Sequence, residues 1–184
     1  MKKIFFIKNN LKQYRILINI MDKITENFNL KHTWVLWFHK VNDSNWSIDS
    51  YSKVFEINKY NDLLFILKEL ENISSGMFFL MKKGIIPIFE DEHNINGGYW
   101  SVRVAKKDAY SFWEKIFYYL CIDCITINSN DEEKINGISI SPKINNCIFK
   151  IWNSNYKEIK TKNMRKDLDF INWDDTFYLE HSAN

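Results

Sequence analysis

Past residue 30, apolar positions group into short dense runs separated by polar turns, a pattern that favours strands over helices. Thr33 to Lys40 is rich in β-formers and predicts a buried strand. Asn42-Asp43-Ser44-Asn45 reads as a turn that delivers Trp46, and Tyr51 to Ile57 as the next strand. Asn58 to Glu71 places Leu63, Leu64, Leu67 and Leu70 at helical spacing, with Asn58 or Asn61 able to cap the start. Met77 to Met81 and Tyr99 to Ala105 are further strands, and Lys107 to Ile122 is a second helix. Ile135 to Ser141 and Cys147 to Trp152 read as a hairpin around Pro142 to Asn146. Tyr156 to Leu168, polar and basic, is expected to be a third helix, and Asp175 to Glu180 a last strand. The strands lack the regular alternation of βαβ units, so the expected class is α+β: a curved antiparallel sheet with helices on one face. Residues 1–30 read as an arm and 31–184 as one domain.

Composition narrows the class. An apolar fraction of 46% and an aromatic fraction of 16% fit a globular chain able to bury a core. A net charge of +2 argues against a broad electrostatic nucleic-acid binder and leaves room for a small basic patch. Cys121, Cys124 and Cys147 are odd in number and sit among apolar residues, so reduced thiols in a cytoplasmic protein are expected. No apolar run reaches the length of a membrane span. Lys2 to Met21 mixes cationic and large apolar residues, as a weak amphipathic helix would; a loosely attached arm is the simpler reading. Asn, Ile and Lys are abundant while Gly and Pro are scarce, the bias of an AT-rich genome such as a parasite's or a large virus's.

The most informative stretch runs from Ile85 to Trp100. A proline-containing apolar run brings Phe89 to a loop, Glu90 and Asp91 follow, and Gly97-Gly98 is expected to reverse the chain into another strand. A ring face attracts a cation and an adjacent carboxylate accepts hydrogen bonds, so the pair suits a flat cationic ligand with N–H donors. An ordinary hairpin with an acidic loop has the same residues.

Several signals agree in order. They are Trp34-Val-Leu-Trp-Phe, Trp46 after a polar turn, Gly-Ile-x-Pro-x-aromatic-Glu-Asp from Gly84 to Asp91, Gly-Gly-x-Trp from Gly97 to Trp100, Phe112-Trp113 in a helix, and Ile148-Phe-Lys-Ile-Trp152. Together they resemble the translation initiation factor 4E family, the mRNA cap-binding proteins, over roughly Lys31 to Glu180. The resemblance implies a cupped antiparallel sheet of about eight strands with three helices on its convex back, and a slot for the 7-methylguanosine cap on the concave face.

By the same resemblance, Trp46 and Phe89 stack on the two faces of the base. Glu90 accepts hydrogen bonds from guanine N1–H and N2–H, the Phe89 backbone N–H meets O6, and Trp152 lies against the methyl group. Asp91 orders the loop. The family normally has Trp where Phe89 stands, which implies weaker binding or weaker methyl discrimination here. Lys143 matches one basic residue of the family's phosphate site, whereas Tyr99, Ser141 and Ile148 occupy other such positions. Strand parity offers Lys150 and Arg103 as substitutes. Trp34, Trp37, Trp100 and Trp113 are expected to be packing residues, and His32, His39, His93 and His181 rim or surface residues. The family's convex face docks the scaffold factor 4G and repressor peptides. Here Leu64 stands where a tryptophan is usual, and Glu114 and Lys115 replace a leucine and a glutamate. Tyr60, Leu64 and Tyr118 could still form a patch, so altered partner choice is expected.

The expectation is a monomeric, non-enzymatic cap-binding module in translation initiation, with capped mRNA as partner and neither cofactor nor metal. The alternatives are a cap-binding decoy or repressor, and a guanine-nucleotide binder that has lost methyl selectivity. An enzyme is disfavoured, because no Walker loop and no Ser/His/Asp or Cys/His arrangement at telling spacing is present.

Overall fold

The structure, a computed structural model, describes residues 28–70 and 76–181. Residues 1–27 of the expected arm lie outside the described residues, and the sheet already begins at Asn29. Its strands are β1 (Asn29–His39), β2 (Ser52–Lys59), β3 (Met77–Lys82), β4 (Gly98–Ala105), β5 (Ile135–Pro142), β6 (Asn146–Asn153) and β7 (Phe177–Glu180). They form one antiparallel sheet in the order β2-β1-β3-β5-β6-β4-β7. The α+β class therefore stands, with seven strands among the described residues instead of about eight.

Three α-helices are described: α1 (Tyr60–Glu69), α2 (Ala109–Cys121) and a single turn, α3 (Ser129–Glu132). In α1, Leu63, Ile66 and Leu67 are buried while Leu64 and Phe65 are exposed. Its N-terminus is held by neither Asn58 nor Asn61. Asp62 reaches back instead, its carboxylate accepting from the backbone N–H groups of Asn58 (3.1 Å) and Lys59 (3.0 Å). In α2 the buried set Phe112, Trp113, Ile116, Phe117 and Leu120 repeats every three or four residues, a full helical stripe. The helix ends where Asp123 adopts φ 54° and the Cys124 N–H donates back to the Tyr119 carbonyl, a left-handed cap.

The expected third helix at Tyr156–Leu168 is not one. Only Thr161–Asn163 turns there, as a 3-10 helix. Its buried residues Ile159, Met164 and Leu168 are five and four apart, too irregular for one helical face. Asn155 accepts from the N–H groups of Lys157 and Glu158, and Asn163 from that of Lys160. Met164 meanwhile bridges to Thr126. Local side-chain bonds have taken the place of helical ones.

Alternation along the strands gives the sheet two apolar faces. Trp34, Leu36, Leu80, Trp100, Val102, Ile138, Phe149 and Ile151 pack with α1 and α2 in the main core. Val35, Trp37, Phe79, Met81 and Trp152 point to the other face and form a second cluster with Tyr51 and Ile85. The four tryptophans expected to pack, Trp34, Trp37, Trp100 and Trp113, are all buried. The cysteines are free thiols, with Cys121 and Cys147 buried. No helix among the described residues is long and apolar enough to cross a membrane.

The stretch between β3 and β4 is not a hairpin. β5 and β6 lie between those two strands, so Gly84 to Gly97 is a loop crossing the sheet end. Gly97 packs against β6 so closely that a methyl group there would overlap the Asn153 carbonyl oxygen. We expect Gly97→Ala to lower stability by about 1–3 kcal/mol, measured by denaturant unfolding; an unchanged midpoint would refute this close-packing account.

Candidate functional site

A cleft of about 370 Å³ opens on the face opposite the helices, lined by Trp46, Tyr51, Phe79, Pro87, Ile88, Phe89, Glu90, Ser139, Ser141, Lys150 and Trp152. Its size and its apolar lining with few polar groups suit one small flat ligand. The sheet register supplies the floor. Trp152 on β6 stands between Tyr99 on β4 and Gly137 on β5, and Lys150 between Ser101 and Ser139. Gly137 and Ser139 are small, so the neighbouring Trp152 and Lys150 side chains define the surface. The Trp152 indole N–H donates to Ser139 Oγ at 3.0 Å, which fixes the ring plane.

One wall is the loop after β3. Asp91 turns inward: its carboxylate accepts from the Ile86 N–H (3.0 Å) and the His93 N–H (2.9 Å). Asn94 is fully buried and its side-chain amide donates to the carbonyls of Ile86 (2.9 Å) and Ile88 (2.8 Å). Asn136 of β5 donates in turn to Asn94 Oδ1 at 2.8 Å. With both sides of the loop tied down, Phe89 and Glu90 are left projecting at its tip, Phe89 at 42% exposure. The Phe89 ring packs on Trp152 (centroids 5.1 Å apart) and His181 (4.8 Å), and lies nearly parallel to Tyr99 at 6.1 Å.

The other wall is Trp46, carried by a turn held by Asp43 and Asn45 side chains accepting from the backbone N–H groups of Asn45 and Ser47. Trp46 is 54% exposed and stacks flat on His39. Tyr51 packs on His39 and Phe79, its phenol pushed up to about 12 by burial, with the Glu90 charge adding to the effect.

Lys150 enters the slot from the floor. Its ammonium lies 4.0 Å from the Tyr99 ring centre and 5.2 Å from that of Phe89. Burial, reinforced by the Lys143 charge, pushes its pKa down to about 8.

The remaining candidates are scattered. Lys143 is exposed at the β5–β6 turn and outside the lining, though its charge reaches Lys150. Arg103 shares the face of Tyr99 but does not reach the slot. It lines a separate groove of about 810 Å³ with Lys115, Asp108, Phe170 and Phe177, because β4 carries it two residue pairs beyond Ser101 toward the far sheet end. That groove is larger, but its rings Phe112 and Phe170 are packed edge to face on each other, and its polar lining residues are exposed. His39 and His181, expected at the rim or surface, are buried. On the helical side Leu64, Glu114 and Lys115 are exposed, and Tyr60 and Tyr118 meet edge to face with their hydroxyls 3.5 Å apart. Lys115 reaches over the Phe170 ring, away from that pair.

Sequence reading missed Tyr51, Phe79 and Ser139 as lining, and Asn94, His39 and His181 as supports. Parity could have found His39, two residues beyond Trp37, and Ser139, opposite Phe79 in the register. Nothing local marks His181, or the part of Asn94 that meets Asn136 and His181, because those partners are distant in the chain.

Comparison with known proteins agrees with this architecture. A model of the family described as "Eukaryotic initiation factor 4E" matches residues 29–183. The "Eukaryotic translation initiation factor 4E homolog" of Acanthamoeba polyphaga mimivirus is 27% identical over 138 residues, covering 62% of this chain and 51% of that one. The chain thus spans about half the length of this curated relative. Among solved structures, Ascaris suum eIF4E-3 in complex with an m7G cap superposes with a TM-score of 0.63 at 22% identity, covering 71% of this chain and 76% of that one. A Schistosome eIF4E complexed with m7GpppG and 4E-BP gives a TM-score of 0.64 at 19% identity, covering 71% and 74%. At these identities the structural likeness speaks for the fold alone. The family match spans nearly the whole described chain, and the chain belongs to the eukaryotic initiation factor 4E family.

Proposed function

We propose that the slot binds the 7-methylguanosine 5′ cap of mRNA and that the protein acts in translation initiation as a cytoplasmic, non-enzymatic binding module. The observation that carries this reading is the meeting of Trp46 and Phe89 in one cleft, with Trp152 in its floor and Glu90 at its mouth. Methylation at N7 makes guanine a flat cation. Two ring walls give it stacking and cation–π attraction, and a carboxylate beside one ring accepts its N–H groups. Family membership and the cap ligands named for the solved relatives support the same reading.

Lys150 is the phosphate-side cation in this proposal. Its ammonium leans on Tyr99 and Phe89, and a triphosphate beside the slot would draw it outward. Lys143, exposed on the adjoining turn, would add a second, screened charge. Arg103 is not part of the proposed site.

The helical face favours a second reading for the biological role. Exposed Glu114 and Lys115 replace residues that the family uses for docking, while Tyr60, Leu64 and Tyr118 leave a small apolar patch. A helical peptide partner with altered specificity fits such a face, and a cap-bound protein that fails to recruit the usual scaffold would act as a decoy.

Titration of tryptophan fluorescence with 7-methylguanosine triphosphate, beside GTP, tests the slot. Saturable quenching that favours the methylated ligand is expected, with Glu90→Ala weakening it by about 1.5–3 kcal/mol, roughly tenfold to over a hundredfold. Equal quenching by both nucleotides would leave a guanine site without methyl selectivity, and none would remove the reading. Lys150→Ala is expected to weaken the triphosphate more than 7-methylguanosine itself; equal losses would exclude Lys150 from phosphate recognition. Lys150 carries its charge below about pH 8 and loses it above. The affinity ratio of triphosphate to nucleoside is therefore expected to fall from pH 7 to pH 9, and to be flatter in Lys150→Ala. Added to a capped-reporter translation extract, an initiator raises output and a decoy lowers it, the decoy effect disappearing in Trp46→Ala.

A further inference from the structure

Both walls of the slot lean on a histidine. His39, the last residue of β1, is fully buried, and its ring lies parallel to the Trp46 indole, 4.5 Å between centroids and 3° between planes. Its Nε2 is 2.8 Å from the carbonyl oxygen of Asn45, the residue just before Trp46. His181 follows β7 and is also buried. Its ring packs on Phe89 at 4.8 Å and on Trp152 at 5.0 Å. Its Nδ1 is 2.7 Å from the carbonyl oxygen of Asn94, in the loop that carries Phe89, and its backbone N–H donates to Gly97 of the same loop at 3.0 Å. The two residues come from opposite ends of the described chain and repeat one arrangement. Each sets a ring against a stacking wall and ties one ring nitrogen to the loop bearing that wall.

A carbonyl oxygen can only accept, so the hydrogen resides on Nε2 of His39 and on Nδ1 of His181. The other nitrogens, His39 Nδ1 and His181 Nε2, are buried with no hydrogen-bond partner among the described residues. Each imidazole is thus committed to one donor direction. Neither phenylalanine nor an amide side chain supplies both functions: the first packs without bonding, and the second bonds without covering the ring.

We propose that His39 and His181 are positioning residues of the slot, paired struts that hold Trp46 and Phe89 at the spacing and tilt that admit one flat base. The proposal rests on the cap-slot reading above. Trp46 and Phe89 are the partly exposed rings of the site, and an unsupported ring must be immobilised when ligand binds. A strut that fixes both the ring and its loop beforehand removes that cost. The base also meets walls already parallel to it.

The test has two arms. In the ligand-free full-length protein, 15N NMR of the imidazoles is expected to report hydrogen on Nε2 of His39 and on Nδ1 of His181, the minor form of free histidine. Hydrogen exchange at residues 44–47 is expected to quicken in His39→Ala, and at residues 86–97 in His181→Ala. In the second arm, each alanine variant is expected to bind 7-methylguanosine triphosphate about tenfold more weakly, one ring contact and one hydrogen bond being lost. His39→Phe and His39→Gln each recover part of the loss, as do His181→Phe and His181→Asn. These conservative variants also keep the proposal testable if an alanine variant fails to fold. The opposite tautomer at either residue overturns the proposal, as do alanine variants that bind like the parent protein with unaltered exchange. A parent protein that does not bind the nucleotide overturns the cap reading instead, and the tautomers and exchange rates then decide whether the histidines hold the rings.

Discussion

The period-two alternation of a β-strand governs this molecule. On β6, Phe149 and Ile151 point into the core beneath the helices, so Lys150 and Trp152 must point the other way. Among the described residues the helices cover one face only, and the second face carries large rings. Part of that face closes on itself as the Val35, Trp37 and Met81 cluster, with Phe79 shared between that cluster and the slot. The remainder is the slot. A single-residue slip of β6 would exchange the two sets, burying Lys150 in the core and removing Trp152 from the floor, so the register that stabilises the protein also defines the site.

The slot holds a cation of its own among its rings. Lys150 lies over Tyr99 and Phe89, and burial weakens its hold on its proton. This arrangement is intelligible if the bound base carries phosphates, because the ammonium then has a place to go. Glu90 lines the same slot and supplies the opposite charge. A ligand with a cationic ring and an anionic tail satisfies both groups, whereas a neutral base satisfies neither fully. The walls depend on a further set of bonds away from the ligand. Asp91, Asn94 and Asn136 shape one loop, Asp43 and Asn45 the other, and the two histidines fasten each loop to its ring. Rigidity on this scale lets rings on loops act as fixed surfaces.

The strands were legible because dense β-branched and aromatic runs leave few other options, and each expected strand lies within a few residues of an observed one. Helices α1 and α2 were legible from their apolar spacing. The segment Tyr156–Leu168 misled because its polar, basic composition permits a helix, while Asn155 and Asn163 find closer partners in the backbone beside them. Of the candidate site, Trp46, Phe89, Glu90, Lys150 and Trp152 do line one cleft. Arg103 does not, because parity fixes the face a residue shares and says nothing of how far along the strand the slot extends.

By itself the sequence determined the class of fold, the identity of the rings and carboxylate, and, through the order of its motifs, the family. Those features reside in residue types and short-range spacing, which the chain carries locally. The tertiary structure decided what depends on long-range contact: that β5 and β6 intervene between β3 and β4, that Asn94 meets Asn136, and that His39 and His181 become matching supports although 142 residues separate them in the numbering. No local pattern encodes such pairings, because each exists only once the sheet has closed and brought the distant partners to its open face.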